Sequence, residues 1–313
     1  MCLMKVRIIE AKNELGGAKR GASLGVDALK LADASSGNNF FCEHTNAASQ
    51  TFNQALLYPQ PFSKARFIDL IIKACNSLAG EVTQSLQDGY FPVVLSADHS
   101  NAAGTIAGIK DFFRDKRVGV IWIDAHADLH SPFTTPSGNM HGMPLAASLG
   151  INNLDQKEIF DGNPEAEYWE QMKHLGKHQI FPKILPDDLV YIGLRDTEKE
   201  ERDFIRNFKI KTFEPNDIEK LSIEEVARQT LAYLSACDFL YVSFDVDSLD
   251  PSVISGTGTP SPNGLRLYEA KQLLEILFDD NRLCAFEMSE INPLLDTKNQ
   301  TAEVGLEILK FLI

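Results

Sequence analysis

Short, almost entirely apolar runs recur along this 313-residue chain and constrain its fold more than any other feature. They cover residues 91–96, 118–124, 189–194, 239–244 and 283–288, and residues 5–11 have the composition of a further strand. A run that is apolar at nearly every position is typical of a strand covered on both faces, as in a parallel sheet. The sequence therefore predicts six strands in a sheet that is buried on both sides.

Segments with apolar residues at helical spacing lie between these strands, at 66–86, 102–113, 200–208, 223–235, 267–277 and 301–313. Repetition of strand and helix along the whole chain predicts the α/β class, with a three-layer α/β/α architecture and a mainly parallel central sheet. Residues 131–139 and 152–188 are expected to form loops with short helices. No Pro-, Gly- or Ser-rich linker divides the chain, so we expect one domain over residues 1–313.

Acidic residues outnumber basic ones by 44 to 30, which gives a formal net charge of −14. This balance argues against nucleic acid or an anionic membrane surface as the main partner. No apolar run approaches the roughly 18 residues of a membrane span, and the first residues do not resemble a signal peptide. The five cysteines are far apart and form no CxxC pair, which predicts free thiols in the reducing cytoplasm.

Acidic and histidine side chains directly follow four of the predicted strands. In chain order they are Asp98 and His99, then Asp124, His126 and Asp128, then Asp245 and Asp247, and finally Glu290. In an extended segment, residues two apart point to the same face, so the members of each group can converge. Carboxylates on adjacent strand ends repel one another, and a buried unpaired charge costs several kcal/mol. A divalent cation would remove that cost.

The candidate ligands are carboxylates and imidazoles without a thiolate. This set suits Mn²⁺, Fe²⁺, Zn²⁺ or Co²⁺ and disfavours a structural zinc site built from cysteines. Six ligands are many for one zinc ion, but they suit two ions about 3.5–4 Å apart that together activate a water molecule. Asp98 is open to two interpretations, since it can be a ligand or a partner that orients one.

Six segments resemble the ureohydrolase family, which contains arginase, agmatinase and formimidoylglutamase. The segments are ADHS at 97–100, WIDAHADLH at 122–130, SGNMHGMP at 137–144, SFDVDSLDPS at 243–252, GTGTP at 256–260 and EINP at 290–293. The resemblance extends from about residue 90 to the end, and more weakly to a glycine-rich stretch at 19–25. Within the family, the segments around residues 134–144 and 256–260 are more similar to arginase than to agmatinase.

The resemblance implies an α/β fold and a site for two Mn²⁺ ions, with other divalent transition metals as alternatives. One ion would take His99, Asp124, Asp128 and Asp245, and the other Asp124, His126, Asp245 and Asp247. Asp124 and Asp245 would then bridge the ions. The family hydrolyses guanidino or formimino C–N bonds through a hydroxide that bridges the two metals, and Asp128 would hold the proton of that hydroxide.

The same resemblance implies roles for residues around the metals. Glu290 would pair with the guanidinium group, His141 would carry a proton to the leaving amine, and Thr259 would lie near the guanidinium end. Ser137 and Asn139 match positions that contact the α-carboxylate and α-amino ends of an amino-acid substrate. These five residues complete the predicted catalytic and substrate-binding set together with His130 and Glu198.

The chain departs from the arginase pattern at three places. Ser96 and Ala97 stand where arginases usually have two glycines, which allow close backbone approach. His130 stands in place of an asparagine that helps to hold the substrate's α-carboxylate. Glu198 stands in place of an aspartate that recognises the α-amino group. The last two changes affect substrate recognition more than metal chemistry.

We therefore expect a metal-dependent, arginase-like amidinohydrolase that converts L-arginine or a close guanidino acid to urea and an amine. The alternatives within the family are agmatinase, guanidinobutyrase and formimidoylglutamase. A deacetylase-like amide hydrolase with one zinc ion is a more distant alternative, as is a binding protein of the same fold without activity. The expected partner is a small guanidino compound, and the family resemblance implies a homo-oligomer.

Overall fold

Eight strands form one sheet at the centre of the molecule, and every neighbouring pair runs parallel. A computed structural model describes residues 5–37, 39–153 and 164–313. The strands are β1 (Val6–Ala11), β2 (Thr45–Ala48), β3 (Phe91–Ser96), β4 (Val118–Ile123), β5 (Leu189–Ile192), β6 (Lys211–Phe213), β7 (Phe239–Asp245) and β8 (Leu283–Ser289). The parallel sheet predicted from the apolar runs is confirmed.

The strand order is β2-β1-β3-β8-β7-β4-β5-β6. The carboxyl ends of β3, β8, β7 and β4 therefore lie side by side in the middle of one sheet edge. The two outermost strands were not predicted. Because β2 (TNAA) is largely exposed and β6 (KTF) has three residues of which one is buried, neither carries an apolar run.

Eleven α-helices lie within the described ranges. They are α1 (Gly25–Ser35), α2 (Phe40–Glu43), α3 (Ile68–Gln87), α4 (Ala102–Phe113), α5 (Pro144–Leu149), α6 (Pro164–Lys173), α7 (Lys199–Phe208), α8 (Pro215–Leu221), α9 (Ile223–Tyr233), α10 (Leu267–Phe278) and α11 (Gln300–Leu312). The helix α6 falls in the predicted loop at 152–188, of which residues 154–163 lie outside the described ranges. The helix α1 was not predicted, because alanines interrupt its apolar periodicity.

Helices cover both faces of the sheet, as the three-layer prediction requires. Residues of α1, α9, α10 and α11 share one apolar core with the strands, and residues of α3, α4, α5 and α7 share the other. Alternate residues of β4 divide between the two cores: Ile121 and Ile123 face the first, and Val120 and Trp122 face the second. This double cover explains why the central strands are apolar at nearly every position.

Two glycines let α4 pack closely on α3. A Cβ atom at Gly104 would lie 2.7 Å from the carbonyl oxygen of Cys75, and one at Gly108 would lie 2.6 Å from that of Ala79. The turn His99–Asn101 leads directly into α4. Close helix packing therefore holds the start of α4, and with it His99, against the sheet edge.

The last helix, α11, packs into the core of this chain. Ile308 and Leu309 are fully buried against the sheet, and Phe311 is 42% exposed. The described cysteines, Cys42, Cys75, Cys237 and Cys284, are free thiols as predicted, and Cys2 lies outside the described residues. No helix in the described ranges has both the length and the hydropathy needed to cross a bilayer.

Candidate metal centre

The predicted ligands meet at the middle of the sheet's carboxyl edge. His99 follows β3, Asp124 follows β4, Asp245 ends β7 and Glu290 follows β8. Because these four strands are neighbours, side chains separated by more than a hundred residues in sequence lie within a few ångströms of one another. The sheet order thus assembles the site that the motifs predicted.

His99 forms the centre of a first ligand group. Its Nδ1 lies 3.0 Å from Asp124 Oδ2, 3.1 Å from Asp128 Oδ2 and 3.2 Å from Asp245 Oδ2. Its other nitrogen, Nε2, is 2.7 Å from the Ser243 hydroxyl, and its ring stacks on Trp122 at 4.1 Å between centroids. The stacking and the hydroxyl contact fix the ring, so that Nδ1 points at three carboxylates.

A second ligand group surrounds His126. Its Nδ1 lies 3.0 Å from Asp247 Oδ2 and 3.5 Å from Asp124 Oδ1. The Thr259 hydroxyl donates to Asp247 Oδ2 over 3.1 Å. Asp124 therefore belongs to both groups, with one oxygen near each histidine, as a carboxylate between two cations must.

The side chains of each sequence motif converge because the backbone turns after the strand, and not because the segment stays extended with side chains alternating between faces. The strand β4 ends at Ile123, and Asp124 Oδ1 accepts the backbone N–H of His126 over 2.7 Å. In the second motif, Asp245 Oδ1 accepts the backbone N–H of Asp247 over 2.8 Å at the start of a short 3-10 turn. Aspartate forms such turns readily because its short side chain reaches the N–H two residues on. The expectation of extended segments was therefore wrong, although the side chains still meet.

Strained backbone accompanies two of the acidic residues. Asp128 has a φ of 51° and Glu290 has a φ of 68°, both in the left-handed region that non-glycine residues seldom adopt. Such conformations persist only where the surroundings enforce them, and they cluster at functional sites. At both positions the turn directs a carboxylate back towards the sheet edge.

Crowding of the carboxylates changes their acidity. Burial raises the pKa of Asp245 well above its ordinary value, and the charges of Asp247 and Asp124 add to this effect. Burial and the Asp124 charge raise the pKa of Asp128 to about 6. For Asp124, burial opposes ionisation, but the two histidines lower its pKa. Buried carboxylates that repel one another in this way are stabilised most by a divalent cation.

The donor atoms fit such a cation. His99 Nδ1 and Asp124 Oδ2 are buried and lie 3.0 Å apart, and neither forms a hydrogen bond of acceptable geometry in the described part of the chain. The ligand atoms of His99, Asp124 and Asp245 lie within 4.8 Å of one another, as do those of Asp124, His126 and Asp247. Two groups of imidazole and carboxylate donors that share one carboxylate match the requirements of a two-metal site.

His141 and Glu290 lie beside the ligand groups. Glu290 Oε1 accepts the backbone N–H of His99 over 3.0 Å and lies 3.3 Å from His141 Nδ1. Burial disfavours the imidazolium form, but the hydrogen bond to Glu290 and its charge raise the pKa of His141 to about 9. This pKa favours the protonated form of His141 at neutral pH, beside the two ligand groups.

A cavity of about 320 Å³ opens above the two ligand groups. All six predicted metal ligands line it, together with the predicted residues His130, Ser137, Asn139, His141, Glu198 and Thr259. Glu290 is not among the lining residues; its side chain is 6% exposed and contacts His99 and His141, and its pairing with a guanidinium group stays a prediction. The structure thus gathers twelve of the thirteen predicted site residues around one cavity.

Two of the three departures from the arginase pattern, His130 and Glu198, contact each other at the rim of this cavity. His130 Nε2 is hydrogen-bonded to Glu198 Oε2, and Glu201 Oε2 lies 3.7 Å away from the same nitrogen. Glu201 is buried and accepts the backbone N–H groups of Leu129 and Glu198. This histidine and the two glutamates form a third group of potential metal ligands, and all three are already joined by hydrogen bonds.

Asp98 is not part of either ligand group. Its Oδ2 accepts the backbone N–H groups of Gly16 and Gly17 over 2.8 and 3.2 Å, and its Oδ1 accepts that of Ser100. A Cβ atom at Gly16 would lie 2.5 Å from the Ser100 hydroxyl oxygen, so this contact requires a glycine. Asp98 therefore ties the N-terminal loop to the turn that carries His99.

Arg195 is a positioning residue that was not among the predicted site residues. Its guanidinium donates to the carbonyl oxygens of Asp247, Ser261 and Pro262 over 2.7, 2.8 and 2.9 Å. It thereby joins the loop after β5 to the two loops that carry Asp247 and Thr259. The only signal in the sequence is an arginine directly after a buried strand, and its carbonyl partners are invisible there.

Comparison with known proteins supports the same interpretation. A sequence profile described as the Arginase family matches residues 5–313. Arginase from Bacillus subtilis (strain 168) is 33% identical over 316 residues, covering 98% of this chain and 97% of the relative. Arginase from Bacillus caldovelox is 35% identical, covering 97% and 96%.

The fold agrees as well. The crystal structure of native Bacillus caldovelox arginase at pH 5.6 superposes with a TM-score of 0.82 at 32% identity, and covers 99% of this chain and 98% of the other. On its sequence and its structure, this chain belongs to the arginase family.

Proposed function

We propose that this chain is a metal-dependent amidinohydrolase that converts L-arginine, or a close guanidino acid, to urea and an amine. The observation that carries the proposal is the pair of ligand groups that share Asp124 at the floor of an acidic cavity. Relatives named arginase, at 33–35% identity over nearly the whole chain, support the same activity.

We propose two Mn²⁺ ions as the cofactor. His99, Asp124, Asp128 and Asp245 would hold one ion, and Asp124, His126, Asp245 and Asp247 would hold the other. When bound, the ions supply Lewis acidity that activates a water molecule near neutral pH. Oxygen-rich ligands with imidazole suit Mn²⁺, while the ions that bind more tightly are excluded by supply rather than by affinity.

The reaction adds water to the guanidinium carbon and breaks one C–N bond. His141 is suited to give the leaving nitrogen its proton, because its pKa of about 9 keeps it protonated at neutral pH. Glu290 accepts a hydrogen bond from His141 and keeps the imidazolium oriented. Asp128, one of the proposed ligands, would accept a hydrogen bond from the activated water, and the proton that the water loses would replace the one that His141 gives.

The cavity favours a cationic substrate. Its lining includes the carboxylates of Asp196, Glu198 and Glu201 besides the six metal ligands, and it contains no lysine or arginine among the described residues. A guanidinium group is planar and permanently charged, so it can enter an acidic cavity without losing its charge. Thr259 lines the cavity and donates to Asp247, so it lies beside the ligand groups, where the guanidinium would bind.

The cysteines and the family resemblance bear on the location and assembly of the enzyme. Free thiols at Cys75, Cys237 and Cys284 are typical of a reducing compartment, and we propose a cytoplasmic protein. We further propose a single catalytic unit over residues 1–313 that assembles with copies of itself, as the resemblance to the family implies.

The test is product release from a panel of substrates. The purified chain is loaded with Mn²⁺ and supplied with L-arginine, agmatine, 4-guanidinobutyrate and N-formimidoylglutamate, and both urea and formamide are measured. Urea from L-arginine as the best substrate is expected. Urea from another compound alone would retain the chemistry and replace the substrate, whereas formamide alone, or no product, would contradict the proposal.

A further inference from the structure

Both nitrogens of the His130 ring are already committed. Nε2 meets a carboxylate oxygen of Glu198, which can only accept, so this nitrogen carries the donated proton. Nδ1 lies 3.1 Å from the Thr134 hydroxyl. The side chain is 9% exposed, and its backbone N–H donates to the carbonyl oxygen of Gly142 over 2.9 Å. The ring is therefore fixed at the rim without a free N–H to offer a bound molecule.

The carboxylates at the same rim still have acceptor capacity. The side chain of Glu198 is 54% exposed and that of Asp196 is 67% exposed. An ionised carboxylate has about four acceptor sites, so a bond to His130 leaves Glu198 able to accept more. For an anionic group, by contrast, the donors beside His130 in the described lining are uncharged: the hydroxyls of Thr135, Ser137 and Thr197 and the Asn139 amide.

We propose that the His130–Glu198 pair sets the substrate class by selecting guanidinium compounds for an ammonium group at their outer end rather than for a carboxylate. The proposal rests on the proposed function and makes it more specific. The bond to Glu198 occupies the N–H of His130, and the other donors beside it are uncharged. A substrate carboxylate therefore gains little there, while a substrate ammonium meets two accessible carboxylates.

The experiment compares three guanidinium compounds of similar length on the Mn²⁺-loaded chain. L-arginine carries both groups, agmatine lacks the carboxylate, and 5-guanidinopentanoate lacks the amino group. We expect kcat/KM to fall at least about tenfold more for loss of the amino group than for loss of the carboxylate, since hydrogen bonds to charged groups have about this value. An equal or larger fall for agmatine would overturn the proposal.

The variant His130→Asn tests the pair directly. The shorter amide releases Glu198 and presents an N–H donor, so the ratio of kcat/KM for L-arginine to that for agmatine should rise about tenfold, through KM. A merely structural role of His130 would lower both values alike, and a ratio within about twofold of wild type contradicts the proposal. Glu200→Gln removes a charge from the same turn of α7 without lining the cavity, and should leave the ratio unchanged.

Binding separates this proposal from the proposed function. If no compound releases urea, the proposed function fails, and the rim is tested by calorimetry with L-ornithine, 1,4-diaminobutane and 5-aminopentanoate. Tighter binding of 1,4-diaminobutane than of 5-aminopentanoate would support selection for an ammonium group. Tighter binding of 5-aminopentanoate would overturn it.

Discussion

A single carboxylate, that of Asp124, connects the two halves of the acidic centre. Its Oδ2 lies 3.0 Å from His99 Nδ1, and its Oδ1 lies 3.5 Å from His126 Nδ1 and accepts the N–H of the same residue. Each histidine is in turn aligned by its neighbours, such as Ser243 on His99. The site therefore depends on individual side chains that are held in one orientation.

Removing one ligand from the second group should loosen one ion. In Asp247→Asn or His126→Ala, we expect about one fewer Mn²⁺ per chain after dialysis, since the other group retains its own ligands. Metal content by mass spectrometry, on protein at known concentration, measures this. Asp203→Asn removes an exposed carboxylate from α7 and serves as the matched control. Unchanged metal content in both ligand variants would refute the assignment.

The His141–Glu290 pair should make stability depend on pH. Because the pKa of His141 is raised to about 9 in the folded chain, its contribution is complete below its unfolded value of about 6.5 and is lost as the pH rises through about 9. His141→Gln should therefore lower the free energy of unfolding by about 1–3 kcal/mol more at pH 6 than at pH 9.5. Urea denaturation of both proteins at the two pH values measures the gap, and a constant gap would disprove the linkage.

The charged residues at strand ends made most of the ligands predictable. The residues that position those ligands were not predictable. The motifs around Asp124 and Asp245 contain several carboxylates with no basic partner nearby in sequence, which only a cation explains. The stacking of Trp122 on His99 and the contact of Ser243 depend on which strands are neighbours. The pairing of His130 with Glu198 likewise joins residues 68 positions apart.

Loops rather than strands orient the second ligand group. Arg195 donates to carbonyl oxygens on either side of it, at Asp247 and at Ser261. The N–H groups of Arg195 and Asp196 both donate to the carbonyl oxygen of Ala125 over 2.9 Å. One short segment after β5 thereby connects both metal-binding motifs to each other.

Replacing the guanidinium of Arg195 should weaken the metal site without unfolding the chain. Arg195→Lys keeps the charge but cannot form the same set of bonds, because an ammonium lacks the planar fork of a guanidinium. We expect Mn²⁺ affinity to fall about tenfold, a typical effect of losing a group that orients ligands. Arg206→Lys on α7, where the side chain is 76% exposed, is the control. Equal affinities in both variants would show that Arg195 does not position the loops.

Element prediction succeeded where burial on both faces left a strong pattern. The strand β3 and the helix α4 begin and end at the predicted residues. The edge strands β2 and β6 escaped because one side of an edge strand faces solvent, and short polar segments can then pair. The sequence pattern reflects burial, so it reveals a paired strand only where that strand is also buried.

At the scale of the whole molecule, strand order creates the site. The strands β3 and β4 belong to the first half of the chain and β7 and β8 to the second, yet β8 and β7 lie between β3 and β4 in the sheet. The periodicity of a segment does not predict the strand order, which depends on long-range packing. The fold class was therefore predictable from local patterns, whereas the convergence of four strand ends required the motifs or the structure.

Bound ions should stabilise the whole fold, because the unfolded chain cannot gather ligands from four strands. Free Mn²⁺ at a hundred times its dissociation constant contributes about 2.7 kcal/mol. Chelation should therefore lower Tm by about 5 °C or more, and by less in Asp247→Asn. Differential scanning fluorimetry with and without chelator measures both shifts, and an unchanged Tm would argue against metal binding at the sheet edge.

The rate of urea release from L-arginine against the number of Mn²⁺ ions bound per chain tests the central claim most directly. Metal-depleted protein is titrated with Mn²⁺, and bound metal and initial rate are measured on the same samples. The account predicts little urea until the second ion binds, with the full rate at about two ions per chain. Full activity at one ion per chain, or no urea at full occupancy, would contradict it.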